Sequence, residues 1–123
     1  MRLTIHAVYT ANVRNLRLLC PDDPSVVDDL LCVDVGTGSS KKGSVTFTIR
    51  MATPKALAQQ APEHVFYAGH ILLLDQFSYE EVWGWLVTTV KSCEAESWRE
   101  CRENLRRYFR WEYEGVDGHP AHS

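Results

Sequence analysis

Between Ser44 and Met51 the chain alternates without a fault: Val45, Phe47, Ile49 and Met51 are apolar, and Ser44, Thr46, Thr48 and Arg50 are polar. A period of two sends successive side chains to opposite faces of a strand. A run this regular requires a sheet with one face on a core and the other toward water, which is the habit of antiparallel sheets. It also sets the register, because a slip of one residue would turn Phe47 to solvent. The remainder of the chain must supply the apolar layer that covers this face.

Other segments read as parts of the same assembly. Residues 2–10 alternate as well, so Leu3, Ile5, Ala7 and Tyr9 are expected on one face and Arg2, Thr4, His6 and Thr10 on the other. Pro21-Asp22-Asp23-Pro24 is turn chemistry. Leu30 to Val35 predicts a second strand with Leu31, Val33 and Val35 on one face, followed by a polar, glycine-rich loop from Gly36 to Gly43. Thr53-Pro54 opens a short helix to about Gln60, which Ala61-Pro62 ends. His70 to Leu74 reads as a fourth strand. Ser78…Glu81 and Ser97…Glu100 are capping boxes, each starting a helix. In the first of these helices Val82, Leu86 and Val90 form an i, i+4 row beside Trp83 and Val87. Gly84 inside it costs about 1 kcal/mol against alanine, which points to a packing reason. In the second, Trp98, Cys101, Leu105 and Tyr108 or Phe109 form the stripe. Trp83 and Trp98 are assigned to the core, while Trp85 is balanced between core and surface. Strands that come mostly first, then helices, indicate an α+β fold: a two-layer, mostly antiparallel four-stranded sheet with about three helices packed on one face.

At 123 residues, with 45% hydrophobic and 24% charged residues, the chain is expected to form one domain over 1–123, with about 115–123 a flexible tail. It has no apolar run near the ~18 residues that cross a bilayer, and its start lacks a signal-peptide h-region. A cytoplasmic protein without membrane contact is the expectation. The net charge of −3 argues against a nucleic-acid binder. That charge is blocked along the chain. Residues 1–20 carry three Arg and no acid, and residues 21–40 five Asp and no base. Residues 97–110 are net +3, and the stretch from Trp111 onward is −3.

No catalytic constellation emerges. The Gly36–Gly43 loop lacks the spacing of a phosphate loop and joins two strands instead of opening a helix. Cys20, Cys32, Cys93 and Cys101 have no paired-ligand spacing, so neither a metal nor a disulfide is expected, and no cofactor is implied. A thiol nucleophile at Cys93 would need a base such as His64 or His70, and Glu94 and Glu96 would oppose its ionisation. Adjacent acids such as Asp28-Asp29 and Glu80-Glu81 point in different directions and make no acid–base pair.

A series of short motifs nevertheless carries a resemblance. Pro21-Asp22-Asp23-Pro24, the glycine loop, Thr53-Pro54-Lys55, Gly69-His70-Ile71-Leu72-Leu73, Ser92-Cys93-Glu94, Ser97-Trp98 and Trp111-Glu112-Tyr113 occur in this order. Together they resemble the immunity protein 8 family of bacterial polymorphic toxin systems, over about residues 2–114. The chain departs from that pattern at Val26-Val27, where an aromatic is expected, and at His70, which follows Gly69 directly. The resemblance implies an α+β protein that binds and neutralises a cognate toxin domain and has no catalytic residue. A nuclease is the toxin class that an acidic partner favours. Partner-binding residues are expected among the acids Asp22, Asp23, Asp28, Asp29, Glu94, Glu96, Glu112 and Glu114, with Trp85 or Tyr113 as an exposed aromatic anchor. A homodimer is compatible with the sequence. Two other classes stay open: a small cytosolic enzyme using a Cys/His site, and an oligomeric scaffold with no toxin partner.

Overall fold

The computed structural model describes residues 1–38, 43–60 and 70–111. Its elements are β1 (Thr4–Tyr9), a 3-10 turn (Leu16–Leu18), β2 (Asp28–Gly36), β3 (Val45–Ala52), α1 (Pro54–Gln60), β4 (Ile71–Leu73), α2 (Tyr79–Ser92), α3 (Trp98–Leu105) and β5 (Arg110–Trp111). The five strands form one sheet in an α+β fold. The sequence accounted for four of them; β5 is too short to show a period.

The β2–β3 hairpin is the centre. Its antiparallel register runs from Asp28↔Ala52 to Val35↔Val45. Leu31, Val33 and Val35 therefore share a face with Ile49, Phe47 and Val45, and all of these are buried except the half-buried Val45. The opposite face carries Thr46, Thr48 and Arg50, each partly exposed. Gly38 and Gly43 flank the hairpin turn with φ of 77° and 86°, a left-handed backbone that side chains with a Cβ rarely adopt.

β1 pairs with β2, and here the even alternation of residues 2–10 breaks. Ile5 lies opposite Val35, but Ala7 lies opposite Asp34 and Val8 opposite Val33, with a bulge between Ile5 and Ala7. The extra residue reverses the phase. Ile5 and Val8 face the core, whereas Ala7 and Tyr9, expected beside Ile5, lie on the polar face. There the Tyr9 hydroxyl donates to Asp34 Oδ1 at 3.2 Å, and Thr46 Oγ1 donates to the same oxygen at 2.6 Å.

Beyond β3 the sheet continues differently. α1 is a crossover, so β4 returns parallel to β3, with Arg50↔Ile71 and Ala52↔Leu73. β5 pairs antiparallel with β3 at Phe47↔Trp111. Thr53 caps α1 by accepting from Ala56 N at 3.3 Å, and it also accepts from Val27 N at 3.1 Å, which ties the helix start to the start of β2.

α2 and α3 provide the covering layer. Ser78 accepts from Glu81 N, and Ser97 accepts from Glu100 N while donating to Glu100 Oε1. Val82, Leu86 and Val90 of α2, Leu105 of α3 and Phe109 beyond it join Phe47, Leu31 and Val33 in one cluster. Phe109 sits edge-on to both Phe47 (6.4 Å between centroids) and Trp85 (5.7 Å). Two expectations about α2 are corrected here. Trp83, assigned to the core, is 38% exposed. Gly84, expected to serve close packing, has no neighbour within 4 Å of where a Cβ would stand.

Candidate functional site

The acids singled out in the sequence fall at two ends of the sheet. Asp22 and Asp23 are exposed in the turn before β2, and Asp23 is held below the usual carboxylate range by hydrogen bonds from the Ser25 hydroxyl (2.7 Å) and amide (3.0 Å). Asp28 is committed to Arg50, whose Nε and Nη2 donate to its two oxygens at 2.8 and 2.5 Å. That fork lowers the carboxyl's pKa, and Gln60 Oε1 accepts from the same guanidinium at 3.3 Å. Asp29 accepts from Asn12 Nδ2 at 3.2 Å. Glu94 lies at the far end, where its Oε2 accepts from Leu3 N at 2.9 Å, and Glu96 is exposed beside it.

Leu3 precedes Thr4, which pairs with Gly36 at the end of β2, while Asp28 begins that strand. At about 3.3 Å per residue the two groups of acids stand about 26 Å apart. The structure thus gathers Asp22, Asp23, Asp28 and Asp29 at one end and Glu94 and Glu96 at the other. Glu112, Tyr113 and Glu114 lie outside the described residues.

Trp85, named as a candidate exposed anchor, is half-buried and packed on Phe109. The exposed tryptophan is its neighbour Trp83. The reason is the surroundings of α2: one flank faces Phe109, and the other overlooks β1, where the sheet ends.

A groove follows that edge. Its first part, about 280 Å³, lies between Ile5–Val8 of β1, the Arg14–Arg17 segment and the aromatic pair Tyr79 and Trp83. The second, about 290 Å³, runs from Ile5 and Trp83 past Leu3 and Val87 to Lys91 and Glu94. The rings of Tyr79 and Trp83 stack nearly parallel, 9° apart with centroids separated by 6.5 Å. The Arg17 guanidinium lies 5.1 Å from the centre of the Tyr79 ring and donates to its hydroxyl at 3.3 Å. Val87, one turn on from Trp83, is also exposed. Among the described residues no further strand pairs with the outer edge of β1.

Reasoning from the sequence did not single out this groove. Two signals for it were present: an aromatic pair at i, i+4 on the flank of α2, and three arginines unaccompanied by acid in residues 1–20. Neither says what lies beside it.

For nucleophilic chemistry the thiols are badly placed. Cys93 and Cys101 are buried, and burial pushes the Cys93 thiol pKa up. Among the described residues no group of three His, Cys, Asp or Glu could hold a metal ion. No helix among them is long and apolar enough to cross a membrane.

A family model described as Immunity protein 8 matches residues 3–115. The chain belongs to the immunity protein 8 family. No curated protein and no solved structure matches it. The exposed Trp83, stacked on the half-buried Tyr79 with an arginine beside it, presents residue types that dominate interface energetics.

Proposed function

We propose that this immunity protein binds the toxin domain encoded beside it in a polymorphic toxin system and neutralises it by protein–protein contact, in the cytoplasm, without chemistry of its own. The observation that carries the reading is the family match across residues 3–115. The buried, poorly ionising Cys93 supports a non-catalytic role. A net charge of −3 favours a cationic toxin such as a nuclease, drawn in by long-range attraction. A nanomolar complex corresponds to about −12 kcal/mol, and a standard interface covers roughly 800 Å² on each partner.

The test is co-expression in bacteria. The C-terminal toxin domain of the neighbouring gene should arrest growth alone and should not when this protein is present. The two purified proteins should co-elute, and added immunity protein should stop the toxin's degradation of plasmid at a one-to-one ratio. Growth arrest that persists despite abundant, folded immunity protein would refute the proposal. A protected culture whose toxin leaves nucleic acid untouched would remove only the nuclease assignment.

A further inference from the structure

We propose that the groove between β1 and α2 is the surface that seats the toxin, and that it takes an extended, acidic segment: an apolar side chain against Trp83 and carboxylates toward Arg14 and Arg17. The inference rests on the immunity reading and names the docking site and the chemistry of what docks.

Three observations carry it. The first is charge. The ionic side chains lining the groove are Arg14, Arg17 and Lys91 against Glu94 alone, and Glu94 already accepts the Leu3 amide. Arg14 is exposed and forms no ion pair among the described residues, so its charge is available to a partner. This local cationic strip lies on a chain whose net charge is −3, the reverse of what the whole-molecule charge predicts for this surface. Net charge acts during approach, over a screening length of about 8–10 Å, whereas Arg14 and Arg17 act at contact. A cationic toxin with an acidic docking segment satisfies both.

The second is the anchor. Trp83 is 38% exposed although tryptophan is among the most costly side chains to leave in water, and the Tyr79 ring, under Arg17, holds it in place. A stacked aromatic loses little conformational freedom when a partner covers it.

The third is shape. The groove follows β1 from Leu3 to Val8, about 17 Å at strand rise, and the strand's outer edge is unpaired among the described residues. An extended segment fits that length and can meet the backbone groups of the edge. A second copy of the chain fits poorly, because a two-fold contact through the groove would set one cationic strip against the other.

The experiment measures binding of the purified toxin domain from the neighbouring gene, by calorimetry and by association and dissociation kinetics at about 50 and about 300 mM salt. Trp83→Ala should weaken binding ~30-fold or more. Arg14→Glu should weaken it ~10-fold or more, chiefly through faster dissociation, because Arg14 acts at contact. Arg14 is exposed, so this variant should keep the wild-type circular dichroism, and its effect is not one of misfolding. A lysine placed at the facing toxin carboxylate, found by cross-linking, should restore binding to Arg14→Glu. If wild-type protein binds and both variants bind within threefold of it, the groove is the wrong surface while the immunity reading stands. If wild-type protein binds no toxin domain, both fall. If light scattering gives a dimer that Trp83→Ala dissociates, the groove belongs to self-association and the proposal is wrong.

Discussion

Replacing Gly84 by alanine should stabilise this protein. The residue lies inside α2, the sixth in a helix of 14 residues, and is exposed. A Cβ built there meets no atom within 4 Å beyond its chain neighbours and the adjoining helix backbone, and its φ is not in the left-handed region, so alanine adds neither clash nor strain. What remains is the backbone entropy that glycine loses on folding, worth about 0.8–1.0 kcal/mol in a helix interior, or about 0.4–1 kcal/mol from engineered substitutions of this kind. For a chain of this size the gain corresponds to roughly 2–5 °C in Tm. In urea, with a slope of about 1.5 kcal/mol/M, it moves the midpoint up by about 0.3–0.7 M. The assay is a pair of urea titrations followed by far-ultraviolet circular dichroism, analysed for midpoint and slope separately. An unchanged or lower midpoint at equal slope would show that Gly84 has a packing role that the free space around it denies. Gly84 also adjoins Trp83. A variant that is more stable yet protects cells less well would place the glycine's purpose in the bound state.

Phe47→Ala should cost ~3–5 kcal/mol, since the ring is fully buried and edge-on to Phe109; a loss below about 1 kcal/mol in the same titration would remove it from the core. Arg50 holds the Asp28 carboxyl below its ordinary value, so the pair's contribution is complete above the unfolded-chain pKa of about 3.9 and is lost as pH falls through the lower folded value. Asp28→Asn should therefore be less stable than wild type at about pH 7 and equal to it in strongly acidic solution, and a difference that does not shrink on acidification refutes the assignment. All four cysteines are free, and an aromatic disulfide reagent should modify exposed Cys20 first, with Cys93 and Cys101 reacting only on unfolding; rapid modification of Cys93 in the native protein would contradict its burial. Lysine at both Asp22 and Asp23 should leave folding intact and, with the groove as the docking surface, change toxin affinity less than Trp83→Ala does; a larger loss would shift the contact to the acidic turn.

Much of the framework was legible because it depends on short-range physics. The alternation from Ser44 to Met51 dictates which face of β3 is buried whatever the strand pairs with, and Ser78 and Ser97 cap their helices through their own next turn. The row Val82, Leu86, Val90 likewise follows from the helical period alone. The order of short motifs along the chain also pointed to the family, which the match over residues 3–115 bears out. Tertiary structure decided what local pattern leaves degenerate. Regular alternation in residues 2–10 cannot reveal that pairing with β2 inserts a bulge, which moves Ala7 and Tyr9 to the polar face. Trp83 and Trp85 flank the buried row of α2 on opposite sides, so its period ranks them nearly alike. Phe109 covers one flank, and the sheet ends at β1 beneath the other, so Trp85 is partly buried and Trp83 faces water. The acids that look like neighbours by composition are parted by the length of β2, and residues distant in sequence, Arg14, Arg17, Tyr79 and Trp83, meet along one edge. A surface site is a coincidence of elements in space, and only the packing of α2 against the sheet brings this one into being.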